Sequence, residues 1–358
     1  MKKKVFVGNV EIGGDAPVSI QSMTNTKTED AKTTINQIKE LYLAGCDIVR
    51  VSVYNDAACL ALKTIIDKSP VPLVADIHFD ADLAIKSIEA GIQKLRINPG
   101  NIEKEQDVKR LADCAKRHNI PIRVGVNTGS VPKDILAHFG GPSPEALVES
   151  AKRHVQLLEK FGFYDIVISI KSSDVREMVL ANRIADRVFP YPLHIGVTES
   201  GLPGQGTIKS AIGIGSLLLD GIGNTLRVSL SGSPIPEAAA AKNILRALHL
   251  KQGVDLIVCP TCGRTDIDVA AVAKEVEEKT SHINYPVKVA VMGCVVNGPG
   301  EAKGADVALC GGKNCAALYI DGVFIKKITQ NYAQEVLNAI DIWNKNQEEP
   351  SGRRSATS

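Results

Sequence analysis

Residues 122–170 contain the repeat that decides the fold: Ile122-Arg123-Val124-Gly125-Val126, an amphipathic stretch from Pro144 to Phe161, and then Ile166-Val167-Ile168-Ser169-Ile170. Short apolar runs that alternate with helical segments are typical of parallel strands joined by right-handed crossovers. The same pattern continues on both sides. Six further β-rich runs cover residues 18–23, 48–53, 73–76, 94–97, 193–197 and 226–230, and further helical patterns cover residues 33–44, 80–90, 107–117 and 237–250.

Eight strand–helix units in about 230 residues predict an α/β fold whose first part is a closed (β/α)₈ TIM barrel. An open doubly wound sheet is the alternative. Such a sheet usually carries a Gly-rich fingerprint after its first strand, whereas here the first run continues into Gln21-Ser22-Met23-Thr24. The segment before that run, residues 5–12, predicts a short hairpin or a plug at the bottom of the barrel.

The character of the sequence changes after Gly253, so we expect residues 1–250 to form the barrel and residues 254–346 to form a smaller α+β domain. The polar tail, residues 347–358, is expected to be disordered. The second domain is predicted to contain helices at 268–279 and 332–344 and strands at 287–292, 306–309, 317–320 and 323–326.

The amino-acid composition excludes several classes of protein. The 358 residues are 44% hydrophobic and 23% charged, with a formal net charge of +2, which excludes a strongly basic nucleic-acid coat and an acidic solvating tail. The longest apolar run, around residues 211–219, is too short to span a bilayer. No apolar stretch of signal-peptide length follows the basic start. We therefore expect a cytoplasmic protein without nucleic-acid or membrane partners.

Basic side chains recur inside or at the ends of five predicted strands: Arg50, Arg96, Arg123, Lys171 and Arg227. Cations are costly in strands that are covered on both faces, so their recurrence predicts one positive pocket at the barrel mouth. Guanidinium groups suit phosphate oxygens, which favours a phosphate or diphosphate ester as the ligand. Polar residues that follow the strands could add hydrogen bonds: Asn98, Asn127, Ser229 and Ser231.

Structural ion pairs with Asp76, Glu199 or Asp47 are the alternative reading of these cations. Asp76, His78 and Glu199 also lie at predicted strand ends, where each could be an acid, a base or a salt-bridge partner. The sequence does not choose among these roles. The Gly-rich stretch at residues 201–207 is read equally well as a phosphate-binding loop or as a set of tight turns.

The cysteines favour a metal centre over disulfides, because a core of this size does not depend on disulfide bonds. Cys259 and Cys262 form a C-x-x-C pair, and Cys294 follows in a loop rich in glycine and proline. Spacing alone leaves zinc and an iron–sulfur cluster equally open. A zinc ion would need a fourth ligand, which Cys310 or Cys315 could provide.

Longer motifs resemble those of the 4-hydroxy-3-methylbut-2-enyl diphosphate synthase family, in colinear order over nearly the whole chain. The C-terminal motifs are Cys259-Pro260-Thr261-Cys262-Gly263-Arg264 and residues 292–302. The barrel motifs are residues 20–25, 75–79, 95–101, 122–127, 169–173, 196–201 and 227–232. The arrangement matches the short bacterial form of that family, with no domain inserted between the barrel and the C-terminal domain.

The resemblance implies one [4Fe–4S] cluster per chain, with Cys259, Cys262, Cys294 and Glu301 as its ligands. It implies the two-electron conversion of 2-C-methyl-D-erythritol 2,4-cyclodiphosphate to 4-hydroxy-3-methylbut-2-enyl diphosphate and water, in isoprenoid precursor biosynthesis. It also implies flavodoxin or ferredoxin as the electron donor and a head-to-tail homodimer. The expected substrate-binding residues are Arg50, Arg96, Asn98, Arg123, Asn127, Lys171, Ser229 and Ser231.

Glu199 is the candidate proton donor, ahead of Asp76 and His78, and Glu301 is expected to have a catalytic role besides its role as a ligand. A zinc-stabilised binding protein for a phosphorylated metabolite is the competing hypothesis. It keeps the cationic pocket and the C-x-x-C pair but gives Glu301 no function.

Overall fold

The computed structural model describes residues 2–78, 80–98, 102, 104–294, 300 and 303–348. The chain divides into two compact units, Met1–Leu250 and Lys251–Ser358. None of the helices in the described ranges has both the length and the apolar character needed to cross a bilayer.

The first unit is an eight-stranded parallel barrel. Its strands are β3 (Ser19–Met23), β4 (Ile48–Ser52), β5 (Leu73–Asp76), β6 (Lys94–Ile97), β7 (Ile122–Asn127), β8 (Ile166–Lys171), β9 (His194–Ile195) and β10 (Thr225–Leu226). Strands β3 to β8 pair in sequence order, and β10 lies between β3 and β9. A parallel bridge between Ile168 and Leu193 joins β8 to the chain just before β9, which closes the sheet. The predicted barrel is confirmed.

Nine helices among the described residues surround the barrel: α1 (Ala31–Leu43), α2 (Asp56–Lys68), α3 (Ala81–Glu89), α4 (Glu105–His118), α5 (Lys133–Phe139), α6 (Pro144–Lys160), α7 (Val175–Val188), α8 (Gln205–Leu219) and α9 (Ile235–Ala247). Several begin at a side chain that accepts a backbone N–H, as Asn55 does for α2 and Ser143 for α6. Their apolar faces pack on the sheet in one continuous core. The short helix α5 had not been predicted.

A hairpin closes the N-terminal end of the barrel. It consists of β1 (Val5–Val7) and β2 (Val10–Ile12), which pair antiparallel. Val7 and Ile12 pack against Ile48 and Val74, which lie near the starts of β4 and β5. The expected plug is therefore present, and it leaves the C-terminal ends of the strands as the open mouth.

The second unit is a five-stranded sheet in the order β11 (Val254–Val258), β12 (Val287–Met292), β13 (Val307–Gly312), β14 (Cys315–Ile320), β15 (Val323–Ile328). The first three strands are parallel, and the last two pairings are antiparallel. Helices α10 (Val269–Thr280) and α11 (Tyr332–Glu348) share one core with this sheet. Helix α11 includes residues 347 and 348, the first two residues of the tail that was expected to be disordered. Residues 349–358 lie outside the described ranges.

Candidate active site

A polar cavity of about 250 Å³ lies at the C-terminal ends of the barrel strands. It is lined by Met23, Arg50, Asp76, His78, Arg96, Arg123, Asn127, Ser169, Lys171, Thr198, Arg227 and Ser229. All five predicted cations line this cavity, and each comes from a different strand or strand end. They can meet there because side chains alternate along a strand, so that every second residue faces the barrel interior. We call this cavity the barrel pocket.

Asp76 is the centre of the charge arrangement in the barrel pocket. Its Oδ1 lies 3.2 Å from Arg96 Nη1, and its Oδ2 lies 3.8 Å from Arg50 Nε and 3.6 Å from His78 Nε2. Burial alone would raise the pKa of the Asp76 carboxyl, but the charge of Arg50, the contact with His78 and the charge of Arg96 together lower it. Asp76 is therefore an ionised residue that orients two guanidinium groups, and it is a poor proton donor at neutral pH.

Glu237 on α9 forms an ion pair with Arg227. Both of its oxygens accept from Arg227, with Nε at 3.1 Å and Nη2 at 3.2 Å, and the carboxylate also accepts from Ser22 Oγ and the Leu230 N–H. The ion-pair alternative therefore holds for Arg227, but its partner is Glu237, which had not been considered. The barrel pocket still has an excess of positive charge, because Asp76 is the carboxylate that lines it together with four further cations: Arg50, Arg96, Arg123 and Lys171.

The excess of positive charge lowers the pKa values of other cationic side chains in the barrel pocket. Burial, then the charges of Arg227 and Arg96, lower the pKa of Arg50 to about 10 despite the opposing charge of Asp76. Burial and the charges of Arg227, Arg123 and Arg50 lower the pKa of Lys171 far below its usual value. Arg123 donates from Nη1 to Gln21 Oε1 at 3.2 Å, while its Nε has no hydrogen-bond partner in the described part of the chain. A multivalent anion would relieve these repulsions, so the barrel pocket is built to bind one.

Two glycines make room for the cations. A Cβ at Gly125 would lie 2.6 Å from Arg96 Nε, and a Cβ at Gly196 would lie 2.2 Å from the Arg227 carbonyl oxygen and 3.2 Å from Lys171 Nζ. A Cβ at Gly196, just after β9, would clash with backbone, and a Cβ at Gly125 on β7 would require the Arg96 guanidinium group to move.

Three predicted site residues do not line the barrel pocket. Asn98 is buried beyond β6, with its Oδ1 unpartnered among the described residues, and Ser231 is exposed. Glu199 is exposed and has a φ of 50°, a left-handed conformation that is uncommon for a glutamate. Three further residues line the barrel pocket without having been predicted: Met23, Ser169 and Thr198. Alternation would have identified Ser169, which lies two residues before Lys171 on the same face of β8.

In the second unit, the three cysteines lie at one edge of the sheet. Cys259 directly follows β11, and its N–H donates to the Val291 carbonyl on the neighbouring strand β12; Cys294 lies two residues after β12. Cys262 lies in the next turn, where its N–H donates to Thr265 Oγ1 at 3.1 Å. Because neighbouring parallel strands end at the same edge, Cys259 and Cys294 follow adjacent strand ends although 34 residues separate β11 from the end of β12.

Other groups at this edge limit the ligand set. Glu301 lies outside the described residues. Within those residues, no three His, Cys, Asp or Glu side chains are placed to hold a metal ion. Cys310 is buried within β13, and burial raises the pKa of its thiol to about 11, which keeps it protonated. Cys310 is thus buried inside a strand, whereas Cys262 is exposed and Cys259 is partly exposed at the end of β11.

Comparison with known proteins agrees with both units. The model of the GcpE TIM-barrel domain matches residues 2–242, and that of the GcpE protein C-terminal domain matches residues 255–341. Among solved structures, the dihydropteroate synthase of Yersinia pestis shares the fold, with a TM-score of 0.50 and 12% identity over 70% of this chain and 99% of that chain.

Two curated relatives are much more similar. The 4-hydroxy-3-methylbut-2-en-1-yl diphosphate synthase (flavodoxin) of Clostridium perfringens is 54% identical over 95% of this chain and 98% of its own length. The protein of the same name from Caldanaerobacter subterraneus subsp. tengcongensis is also 54% identical, over 94% of this chain and 95% of its own. Barrel, cationic pocket, C-terminal sheet and relatives lead to one conclusion: the chain belongs to the GcpE family of 4-hydroxy-3-methylbut-2-en-1-yl diphosphate synthases.

Proposed function

We propose that this chain converts 2-C-methyl-D-erythritol 2,4-cyclodiphosphate to 4-hydroxy-3-methylbut-2-enyl diphosphate and water, in isoprenoid precursor biosynthesis. The observation that carries the proposal is the barrel pocket, where five cationic side chains face two carboxylates. This surplus of positive charge suits the two negative charges of a cyclic diphosphate. The identity of more than half of the residues with synthases of known name supports the same substrate.

The residues of the barrel have distinct roles in this proposal. Arg50 and Arg96, held by Asp76, present guanidinium groups to the phosphate oxygens, and Arg123 and Lys171 bind from the next two strands, β7 and β8. Asn127, Ser169 and Ser229 supply neutral hydrogen bonds at the pocket wall. Asn98 and Ser231 remain predicted contacts. Strong binding of the diphosphate fixes the position of the carbon skeleton, which lowers the entropic part of the activation barrier.

The second unit is proposed to hold a [4Fe–4S] cluster through Cys259, Cys262, Cys294 and Glu301. Three thiolates are typical ligands of such a cluster, and a carboxylate is a harder and more exchangeable ligand than a fourth thiolate. When bound, the cluster supplies single electrons and a Lewis-acidic iron. The chain positions the thiols through the ends of β11 and β12 and through the hydrogen bond from Cys262 to Thr265.

Loss of the hydroxyl group as water requires a proton, and Glu199 remains the proposed donor. Its exposure and its left-handed backbone distinguish it from Asp76, whose paired carboxylate is held ionised. A strained backbone conformation at a polar residue is a frequent feature of functional positions. Substitution of Glu199 by Gln should therefore reduce kcat while leaving the affinity for the cyclodiphosphate nearly unchanged.

Flavodoxin is the proposed electron donor, because the two curated relatives described above carry it in their names; ferredoxin is the alternative. The cytoplasmic location and the head-to-tail homodimer remain predictions.

The decisive experiment is anaerobic purification followed by analysis of iron, sulfide and zinc and by an assay with reduced flavodoxin and the cyclodiphosphate. We expect iron and sulfide near four per chain and formation of the linear diphosphate. A Glu301→Ala variant should fold but lose turnover. Colourless protein with one zinc per chain and no turnover would instead support the zinc-stabilised binding protein. A Glu301→Ala variant with full activity would show that Glu301 is not an essential ligand.

A further inference from the structure

A second polar layer lies beneath the barrel pocket, between the pocket and the hairpin plug. We call it the lower polar layer; it consists of Ser19, Gln21, Lys94, His194 and Thr225, all buried. Alternation places these side chains inside the barrel. Lys94, Gln21 and Thr225 each precede by two positions a residue that lines the barrel pocket, namely Arg96, Met23 and Arg227.

Strand register places the layer near the floor of the barrel. Thr225 is in register with Ser19 on one side and with His194 on the other. Lys94 is in register with Val74, which contacts the hairpin plug. Lys94 and His194 are both fully buried. A lysine at this depth is rare unless a partner compensates its charge.

The members of the lower polar layer lack such partners. The atoms without a hydrogen-bond partner in the described ranges are Ser19 Oγ, Gln21 Nε2, Lys94 Nζ, both ring nitrogens of His194, and Thr225 Oγ1. Isolated cases of this kind occur in many proteins, but five neighbouring residues are exceptional. Polar groups concentrated in this way are suited to internal water, through which protons can move.

The charged groups around Lys94 are cations or carboxylates engaged elsewhere. On the flanking strand β5, Asp76 pairs with Arg50 and Arg96, and on helix α9, Glu237 pairs with Arg227. The hairpin contributes Glu11, which pairs with Lys4. The charges that reach Lys94 are those of Arg123 and Arg50, and the charges that reach His194 are those of Arg123, Lys171, Lys94 and Arg50.

Burial and these neighbouring charges both oppose protonation of Lys94 and His194 in the unliganded layer. Burial, and then the charges of Arg123 and Arg50, lower the pKa of the Lys94 amine well below its usual value. Burial and the surrounding cations lower the pKa of His194 in the same way. Arg50 and Arg123 also line the barrel pocket. An anion in the pocket therefore compensates the very charges that oppose protonation of Lys94.

We propose that Lys94, with His194 beside it, takes up a proton when a diphosphate binds in the barrel pocket. The lower polar layer is thus a proton-binding site linked to the substrate site. Lys94 acts through Arg50 and Arg123, so it is a residue that adjusts the charge of the site, not a catalytic group. The inference rests on the proposed function only in taking the ligand to be a diphosphate. Because a bound proton offsets repulsion among the phosphates, affinity should increase as pH falls towards the value at which free Lys94 titrates.

Calorimetry on the oxidised holoenzyme tests this directly, because no turnover occurs without a reductant. The cyclodiphosphate is titrated at one pH into buffers that differ in ionisation enthalpy, and the slope of the observed heat gives the number of protons taken up. The wild type should take up a measurable fraction of one proton per bound ligand. Lys94→Met, which replaces the neutral amine with an apolar side chain of similar length, should still bind but reduce uptake at least about threefold.

Lys133→Met is the matched control, since Lys133 is exposed on α5, and its proton uptake should equal that of the wild type. If Lys94→Met does not fold, Lys94→Gln replaces it. Zero uptake by the wild type between pH 6.5 and 8.5, or unchanged uptake in a folded Lys94 variant, overturns the proposal. If the cyclodiphosphate does not bind at all, the proposed function fails, and the same titration with sulfate, which carries no proton in this pH range, then tests the proton uptake by itself.

Discussion

At the scale of single residues, the barrel pocket depends on small side chains as much as on charged ones. Arg96 can lie beside Asp76 only because Gly125 on the neighbouring strand lacks a Cβ. The guanidinium group is then fixed by a carboxylate on one side and by backbone on the other. Such preorganisation lets the pocket bind phosphate oxygens without first paying the entropy of ordering a flexible arginine.

Gly125→Ala should therefore weaken binding of the cyclodiphosphate at least about tenfold, because the new methyl group displaces Arg96 from Asp76. Calorimetric titration of the folded variant measures this effect. Gly129→Ala is a suitable control, since a Cβ there meets nothing within 4 Å. Equal affinities of the two variants would mean that Arg96 does not contribute to ligand binding.

Sequence reasoning identified most of the pocket cations because a charged residue inside an apolar run stands out. It did not recognise Lys94 and His194, which begin their strands and therefore look like ordinary residues at a strand end. Their depth depends on the hairpin plug, which covers the end of the barrel where those strands begin. Residues brought together by closure of a barrel cannot be recognised from the pattern of any one strand.

At the scale of elements, β9 and β10 are the main departure from expectation. The apolar runs predicted strands of five residues, but only two residues of each pair in the sheet. After them the chain is held by other contacts: the Leu230 N–H donates to Glu237, and Ser200 Oγ donates to the Ser229 carbonyl. The runs are mostly buried, as their composition predicts. Beyond the Arg227 N–H, which donates to Ile195 of β9, the backbone contacts named here go to loops and side chains.

Helix α6 gives a prediction about pH. Burial, with a smaller effect of Arg153, lowers the pKa of His154 from 6.5 to about 4 in the folded chain. The unfolded chain then binds more protons between these values, so stability falls as pH decreases from 6.5 towards 4, by about 3 kcal/mol over the whole range. His154→Gln should flatten this part of the profile in urea unfolding. The same change at exposed His138 should leave the slope as it is in the wild type.

The edge formed by β11 and β12 gives a prediction about the metal centre. A Cβ at Gly293 would lie 2.8 Å from Thr265 Cγ2, and Thr265 is the residue that binds the Cys262 N–H. Gly293→Ala should therefore shift the turn that carries Cys262 and lower the iron content per chain after anaerobic reconstitution. Gly263→Ala meets nothing within 4 Å and should keep the full content. Equal iron content in both would show that the turn adapts freely.

At the scale of the whole molecule, the chain consists of a barrel unit with a cationic pocket and a second unit with the C-x-x-C pair, each with its own core. The predicted head-to-tail homodimer would combine the barrel of one protomer with the C-terminal unit of its partner. In a symmetric pair of this kind, each functional site contains residues from both chains.

Mixing two inactive variants tests that arrangement. Arg123→Met disables the barrel, and Cys262→Ser disables the metal site, so each variant alone should be inactive. Random exchange of protomers makes half of the dimers mixed, each with one intact site, and should restore about a quarter of the wild-type activity. A mixture that stays inactive after verified exchange would show that each chain uses its own C-terminal unit.

The excess of cations around Asp76 also has a practical consequence for handling the protein. A cavity of about 250 Å³ with this charge does not distinguish a substrate phosphate from small oxyanions in solution. Sulfate from a precipitation step or phosphate from a buffer will compete for Arg50, Arg96 and Arg123. Assays of this chain therefore belong in buffers free of multivalent anions, because otherwise KM will reflect the choice of salt as much as the enzyme.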